Sequence, residues 1–258
     1  MRQQSKIKAL VRGRVIGGPL PLICLPIVAK SRDSLLEQAS ELIGMQPDLL
    51  EWRIDEYQRV TDIPDCLSLL GELRTVIEDI PLIFTCRIEA EGGLQQISQE
   101  HRLQLIIAAM ESGDVDLVDI ELCNDQAFIE TVRKSADADG VKLILSHHNF
   151  SETPDQDFIY NTLVKAQAMG ADIAKLAAMP QNYADVLTLL NATNRARNEG
   201  VDVPMVTISM GREGEVSRVA GGLFGSDMTF AVGSKSSAPG QIPIAGLKAG
   251  MGLLYRTE

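Results

Sequence analysis

Eight short apolar runs recur along the chain at spacings of about 25 to 35 residues, and this recurrence restricts the fold more tightly than any other feature. They are Leu22–Val28, Asp48–Ile54, Leu82–Arg87, Asp116–Glu121, Lys142–His148, Ile173–Ala178, Pro204–Ser209 and Thr229–Val232. Each is short enough for a buried strand. Between them apolar residues fall at helical spacing, as in Leu35, Leu36, Ala39 and Leu42–Ile43, in Leu103, Ile106, Ile107 and Met110, and in Val186, Leu187, Leu189 and Leu190. Strand and helix alternating in this way make a parallel sheet with helical crossovers.

The ends of these patterns carry helix signals. Ser31 is placed to cap the first helix, and Thr153–Pro154 is expected to open the one after the fifth run. Gly44, Gly71, Gly113, Gly140, Gly170 and Gly200 are expected to close helices, because glycine tolerates the left-handed position past a helix end. Eight such units in 258 residues predict a closed (β/α)8 barrel rather than an open doubly wound sheet. No GxGxxG follows the first strand, which weakens a dinucleotide-binding alternative. Ser5 to Gly18 alternate and contain glycines, the pattern of a β-hairpin closing the bottom of the barrel. With no linker, low-complexity tract or repeat, residues 1–258 read as one catalytic barrel domain. Met1 and the lack of a trailing linker suggest a stand-alone chain.

Strands of a parallel barrel are buried on both faces and should read Val, Ile and Leu. Here their C-terminal halves break that rule with a period of two. Glu51 and Arg53 share a parity, as do Thr85 and Arg87, Asp119 and Glu121, and Ser146 and His148; Lys175 follows, then Thr207 with Ser209. Residues i and i+2 face the same side of a strand. The opposite parity is apolar (Leu50, Phe84, Cys86, Val118, Ile120, Leu143, Leu145, Ala174, Leu176) and suits the helix ring. The polar set is therefore predicted to point into the barrel mouth, where sites of this architecture lie. Any one of these residues also reads as half of a core ion pair, Glu51 with Arg53 or Asp119 with Lys175. Six strands doing so together point to a site, since each buried charge costs several kcal/mol before pairing.

Lys175 is the most telling of them. A lysine in mid-strand cannot snorkel to solvent, and burial with neighbouring cations would favour its neutral amine, the nucleophile that forms Schiff bases with carbonyl compounds. His148 suits general acid–base work near neutral pH. His147 has the opposite parity and is expected to face the helices or lie under a loop, with a contact behind the site. His101 sits in a helical pattern as a surface or packing residue. Arg53, Arg87 and Arg218 offer bidentate grips on a carboxylate. No HxH or HExxH spacing suggests a metal, so the expected site needs neither metal nor cofactor. These residues support a class I Schiff-base lyase and leave aldolase and dehydratase both open.

The formal net charge of -11 argues against a nucleic-acid partner. No segment approaches the ~20 apolar residues of a membrane span, and the N-terminus lacks a signal-peptide pattern, so no membrane partner is expected. Cys24, Cys66, Cys86 and Cys123 form no CxxC pair and read as buried free thiols of a cytoplasmic protein.

The runs Leu50–Glu–Trp–Arg–Ile–Asp55, Phe84–Thr–Cys–Arg87 with Glu91–Gly–Gly93, Ser146–His–His–Asn–Phe150, Ala174–Lys–Leu–Ala–Ala–Met–Pro180, Val216–Ser–Arg218 with Phe224–Gly–Ser226, and Ser237–Ala–Pro–Gly–Gln241 resemble, in order, those of the type I 3-dehydroquinate dehydratase family. The resemblance spans about residues 20 to 242. It implies that 3-dehydroquinate loses water by syn elimination, giving 3-dehydroshikimate in aromatic amino acid biosynthesis. Lys175 would form the imine, His148 would move the proton, and Glu91 would orient His148. Glu51, Arg53 and Arg87 would bind ring hydroxyls, Arg218 the carboxylate, and Ser237 and Gln241 would sit on a closing loop. The resemblance also implies a homodimer. Three places depart from it: His147 stands where many relatives have Asn, Pro26 where some have Ser, and Gly211–Arg–Glu–Gly–Glu215 is unusually charged where it would meet the closing loop.

Overall fold

Polar caps set the helix starts, and apolar runs set the strands between them. The computed structural model describes residues 2–255. An antiparallel hairpin, β1 (Ala9–Val11) and β2 (Arg14–Ile16), precedes eight parallel strands: β3 (Leu22–Ile27), β4 (Leu49–Arg53), β5 (Leu82–Thr85), β6 (Leu117–Glu121), β7 (Lys142–Asn149), β8 (Ile173–Ala178), β9 (Met205–Ser209) and β10 (Met228–Phe230). The helices are α1 (Arg32–Ile43), α2 (Ile63–Ile77), α3 (Gln99–Glu111), α4 (Gln126–Asp139), α5 (Gln156–Ala168), α6 (Tyr183–Glu199), α7 (Glu215–Ala220) and α8 (Ile244–Leu254).

The side chains of Ser31, Asp62, Ser98, Asp125, Asp155 and Asn182 accept backbone N–H groups in the first turns of α1 to α6. Each such cap stabilises its helix by about 1 kcal/mol. The start of α5 therefore differs from expectation: Asp155 caps it, and Thr153–Pro154 lies before the cap. Three of the glycine expectations also change: Gly44 and Gly200 close α1 and α6 at φ -59° and -142°, outside the left-handed region, and Gly71 closes no helix. Gly71 sits inside α2, which runs on to Ile77 and ends at Glu78 with φ 50°. Gly140 does take the left-handed position, at φ 71°.

The strands pair in the order β10-β3-β4-β5-β6-β7-β8-β9, a nearly closed (β/α)8 barrel. The seam between β9 and β10 has no ladder. One backbone bond, from the Asp227 N–H to the Met205 carbonyl at 2.6 Å, and two side chains staple it instead: the Asp227 carboxylate accepts the Met205 N–H at 2.8 Å, and the Ser226 hydroxyl accepts the Thr207 N–H at 3.1 Å. Asp227 itself is fully buried between Arg2 and Arg197.

Two apolar layers result. Leu50, Trp52, Phe84, Val118, Leu143, Leu145 and Leu176 face outward into the helix ring. Inside, Cys24, Leu49, Ile83, Leu117, Ile144, Ile173, Val206 and Met228 fill the lower barrel, and Ala9, Val11 and Ile16 of the hairpin pack on them from below. The hairpin is the floor of the barrel, as the sequence predicts. One parity differs. In β9 the register pairs Lys175 with Val206, so Val206 and Ile208 point inward while Thr207 and Ser209 face the helices. Thr207 accepts a hydrogen bond from Thr193 of α6 at 2.9 Å. Five strands, not six, thus deliver polar groups to the mouth.

Candidate active site

Above the apolar floor the inward side chains turn polar, because each strand ends on the residues singled out by parity. Glu51, Arg53, Arg87, Glu91, His148, Lys175, Arg218, Ser237 and Gln241 all line one cleft at the C-terminal ends of the strands.

Lys175 lies at its base, 6% exposed. Its Nζ donates to Asp119 Oδ2 at 2.7 Å, lies 3.8 Å from Glu51 Oε1, and sits 4.6 Å from the centroid of the Phe230 ring. The charges nearest to it are carboxylates rather than the cations expected from the sequence. Asp119 is fully buried and also accepts from Ser146 Oγ at 2.6 Å and pairs with Arg87 Nη2 at 2.9 Å. Burial works against its charge, but Arg87 and then Lys175 outweigh it and hold the carboxyl at about 2. Arg87 also reaches Glu121 Oε1 at 3.0 Å, and these anions lift its guanidinium above the ordinary value in spite of burial. Glu51 accepts the Thr85 hydroxyl at 2.9 Å. Arg53 is held not by Glu51 but by Asp55, in a fork at 2.9 and 2.8 Å, with a further bond to the Gly92 carbonyl.

His148 ends the inward row of β7. Its Nδ1 lies 3.0 Å from Glu91 Oε2, and its backbone N–H donates to the same oxygen at 2.8 Å. Phe150 stacks on the imidazole with centroids 6.4 Å apart. Burial, then the cations Arg87 and Lys175, push His148 well below its ordinary value, so the imidazole is neutral at physiological pH. With Nδ1–H given to Glu91, Nε2 carries the free lone pair. Burial pushes Glu91 up to about 7 against the pull of Arg87.

Arg218, on α7, differs from the other cations. Its guanidinium donates only to the carbonyls of Phe230 at 3.2 Å and Pro239 at 2.8 Å, and among the described residues it has no carboxylate partner. Burial lowers it to about 10, which leaves it charged at neutral pH. A buried, charged and unpaired guanidinium suits an incoming carboxylate.

Ser237 and Gln241 cross-brace the loop after β10: Gln241 Oε1 accepts the Ser237 N–H at 2.9 Å, and Gln241 Nε2 donates to Ser237 Oγ at 3.1 Å. The loop rests on the charged segment noted in the sequence, with Gly211 N–H donating to Pro239 O at 3.3 Å. Four apolar walls escaped the sequence reading: Phe150, Ile208, Met210 and Phe230. Phe230 was findable, since it shares a parity with Met228, but apolar residues raise no flag in a barrel. Among the described residues no group of three or more His, Cys, Asp or Glu side chains is arranged to hold a metal ion. All four cysteines are free, and Cys123 is exposed rather than buried as expected. Cys66 lies in a helix.

The family profile described as Type I 3-dehydroquinase matches residues 23–258. The chain belongs to the type I 3-dehydroquinase family. It is 45% identical over 233 residues to a 3-dehydroquinate dehydratase of Klebsiella pneumoniae (strain 342), covering 90% of this chain and 93% of that one. The solved 3-dehydroquinate dehydratase of Geobacillus kaustophilus HTA426 superposes with a TM-score of 0.96 at 41% identity, covering 98% of each chain. A type I enzyme from Clostridium difficile, solved with covalent modified comenic acid, superposes at 0.93 with 40% identity, over 96% of this chain and 98% of that one. Membership makes this chain a hydro-lyase that removes water from 3-dehydroquinate. No helix among the described residues is long and apolar enough to cross a membrane.

Proposed function

We propose that the dehydration runs through a Schiff base on Lys175, with His148 as the acid–base group. The observation that carries this reading is the meeting, in one cleft, of Lys175, a neutral His148 held by Glu91, and the unpaired Arg218. The Lys175 amine adds to the C3 ketone and water leaves, forming the protonated imine. Asp119, at 2.7 Å from Nζ, is the counter-ion for that charge. His148 Nε2 takes the proton from C2, and the electron pair passes into the imine to give an enamine. The enamine expels the C1 hydroxyl, which leaves as water with the proton returned by His148. Hydrolysis of the remaining imine frees 3-dehydroshikimate and regenerates Lys175. Covalent catalysis lowers the barrier because the cationic nitrogen receives the electrons released at C2.

Glu91 orients His148. Arg218 receives the substrate carboxylate, while Glu51, Arg53 and Arg87 hold ring hydroxyls. Ser237 and Gln241 close over the substrate and exclude water. Residues 1–258 act as one catalytic domain without cofactor, in the cytoplasm, as a homodimer. The test is borohydride reduction in the presence of 3-dehydroquinate, read by mass on Lys175, together with turnover of wild type and Lys175→Ala. An adduct on Lys175 with turnover absent in the variant supports the imine. Turnover surviving in Lys175→Ala overturns it. Trapping of aldehydes or phosphorylated ketoses but not of 3-dehydroquinate points instead to aldolase chemistry.

A further inference from the structure

A chain of alternating charges runs from the base of the cleft through the barrel wall into the helix ring. Lys175 Nζ donates to Asp119 Oδ2 at 2.7 Å, and Asp119 Oδ1 takes Arg87 Nη2 at 2.9 Å. Arg87 Nη1 donates to Glu121 Oε1 at 3.0 Å and to Ser146 Oγ at 2.7 Å. Glu121 Oε2 in turn accepts from Nη2 of Arg102, on α3. Arg102 is fixed from three further sides. Its Nε donates to the Cys86 carbonyl at 3.1 Å, its Nη1 donates to Asn124 Oδ1 at 3.3 Å, and its guanidinium lies 5.5 Å from the centroid of the Phe128 ring of α4. None of the five charged side chains is more than 6% exposed, so water does little to screen one from the next. Glu121 and Arg102 do not line the cleft, yet they are joined to its lysine by direct ion pairs.

We propose that Arg102 is a positioning residue for imine formation: by neutralising Glu121 it leaves Arg87 to Asp119, so that Lys175 can release its proton to solvent and attack the C3 ketone as a free amine. The proposal rests on the Schiff-base reading above. An amine attacks a carbonyl only through its lone pair. While Lys175 is neutral, Asp119 keeps a single cation partner, Arg87, which is also the cation with the greater hold on it. Glu51, 3.8 Å from Nζ, has no other ion pair among the described residues. The remaining charged side chains of the cleft are engaged elsewhere: Arg53 with Asp55, Arg218 with carbonyls and Glu91 with His148. Arg87 is shared with Glu121 through its other nitrogen. With Arg102 present, Glu121 has a cation of its own. Without it, two buried carboxylates compete for one guanidinium, and the surplus negative charge holds the proton on Lys175. The other donors to Glu121, the Ile88 N–H at 3.1 Å and Asn124 Nδ2 at 3.2 Å, carry no charge and do not replace it. The protonated imine restores the cation beside Asp119. The requirement for Arg102 therefore falls on the steps in which the nitrogen is neutral, and not on proton transfer by His148.

The test follows a single turnover of 3-dehydroquinate, quenched with borohydride at successive times and read as mass on Lys175. Arg102→Met should slow imine formation about tenfold, the order of effect of one uncompensated buried charge. Combining Arg102→Met with Glu121→Gln removes the surplus charge and should recover most of the rate, although two buried side chains are then altered. Arg102→Lys keeps the charge but gives up the bonds to Cys86 and Asn124, and should form the imine at close to the wild-type rate even where its melting temperature falls. Three results overturn the proposal: a wild-type rate in Arg102→Met, a double variant as slow as the single one, or rates that follow melting temperature rather than charge across the variants. Where Arg102→Met alone does not fold, the double variant and Arg102→Lys still decide, since a slow rate in both overturns the charge argument and a near wild-type rate in both upholds it. Absence of an adduct in wild type is a different failure, because it removes the Schiff-base reading itself.

Discussion

Replacing Glu91 with glutamine separates the stability of this barrel from its activity. Burial raises the carboxyl from 4.5 to about 7 although Arg87 opposes the change. A folded-state value above the unfolded one means that the native state binds the extra proton between pH 4.5 and pH 7. Stability is therefore lost as the pH rises through that window, and the penalty is complete above about 7. The full penalty corresponds to about 3 kcal/mol. Glutamine removes it at little geometric cost. Both bonds to His148 use Oε2, so an amide oxygen placed there keeps them, and the amide nitrogen takes the position facing His147. The advantage of Glu91→Gln over wild type should grow by about 2 kcal/mol between pH 5 and pH 8, about 5 °C in melting temperature for a chain of this size. Over the same interval kcat should fall, since His148 loses the anion that stabilises its protonated form. Urea titrations at the two pH values, followed through the single tryptophan, Trp52, measure the first quantity. An advantage that is the same at both pH values, or a variant less stable than wild type at pH 8, refutes the reasoning.

Asp119 presents the opposite sign. Its carboxyl is depressed to about 2, so its contribution is complete above the ordinary 3.8 and fades as the pH falls toward 2. Asp119→Asn should lose about 2 kcal/mol in urea titrations, with no pH dependence between pH 5 and 8; a loss that varies across that range contradicts the assignment. Gly240 has φ 71°, and a Cβ there would come 2.0 Å from the Gly211 carbonyl oxygen. Gly240→Ala should unseat the loop carrying Ser237 and Gln241 and raise KM by about tenfold, the equivalent of modest backbone strain, without lowering the melting temperature. An unchanged KM would mean that the loop does not close on the substrate.

Much of this molecule was determined by local sequence. Ile173–Ala178 is a strand over the residues its apolar run predicts, and Ser31 caps α1. Period-two parity alone sent Glu51, Arg87, Asp119, His148 and Lys175 into one barrel mouth, because a strand leaves a side chain only two directions. The same logic failed at β9. A small hydroxyl such as Thr207 satisfies itself equally well against a helix hydroxyl, so its polarity does not reveal which way it points. Tertiary structure decided how most of the charges are matched, although the pair of Asp119 with Lys175 is one the sequence already offered. Arg53 pairs with Asp55 two residues away, Lys175 with Asp119 from another strand, and Arg218 with no carboxylate among the described residues. Nor does any local pattern foretell that Glu91 sits between two histidines. Whether a group is charged depends on its distance to partners remote in the chain and on how much water the fold leaves around it, and neither quantity exists until the strands have closed.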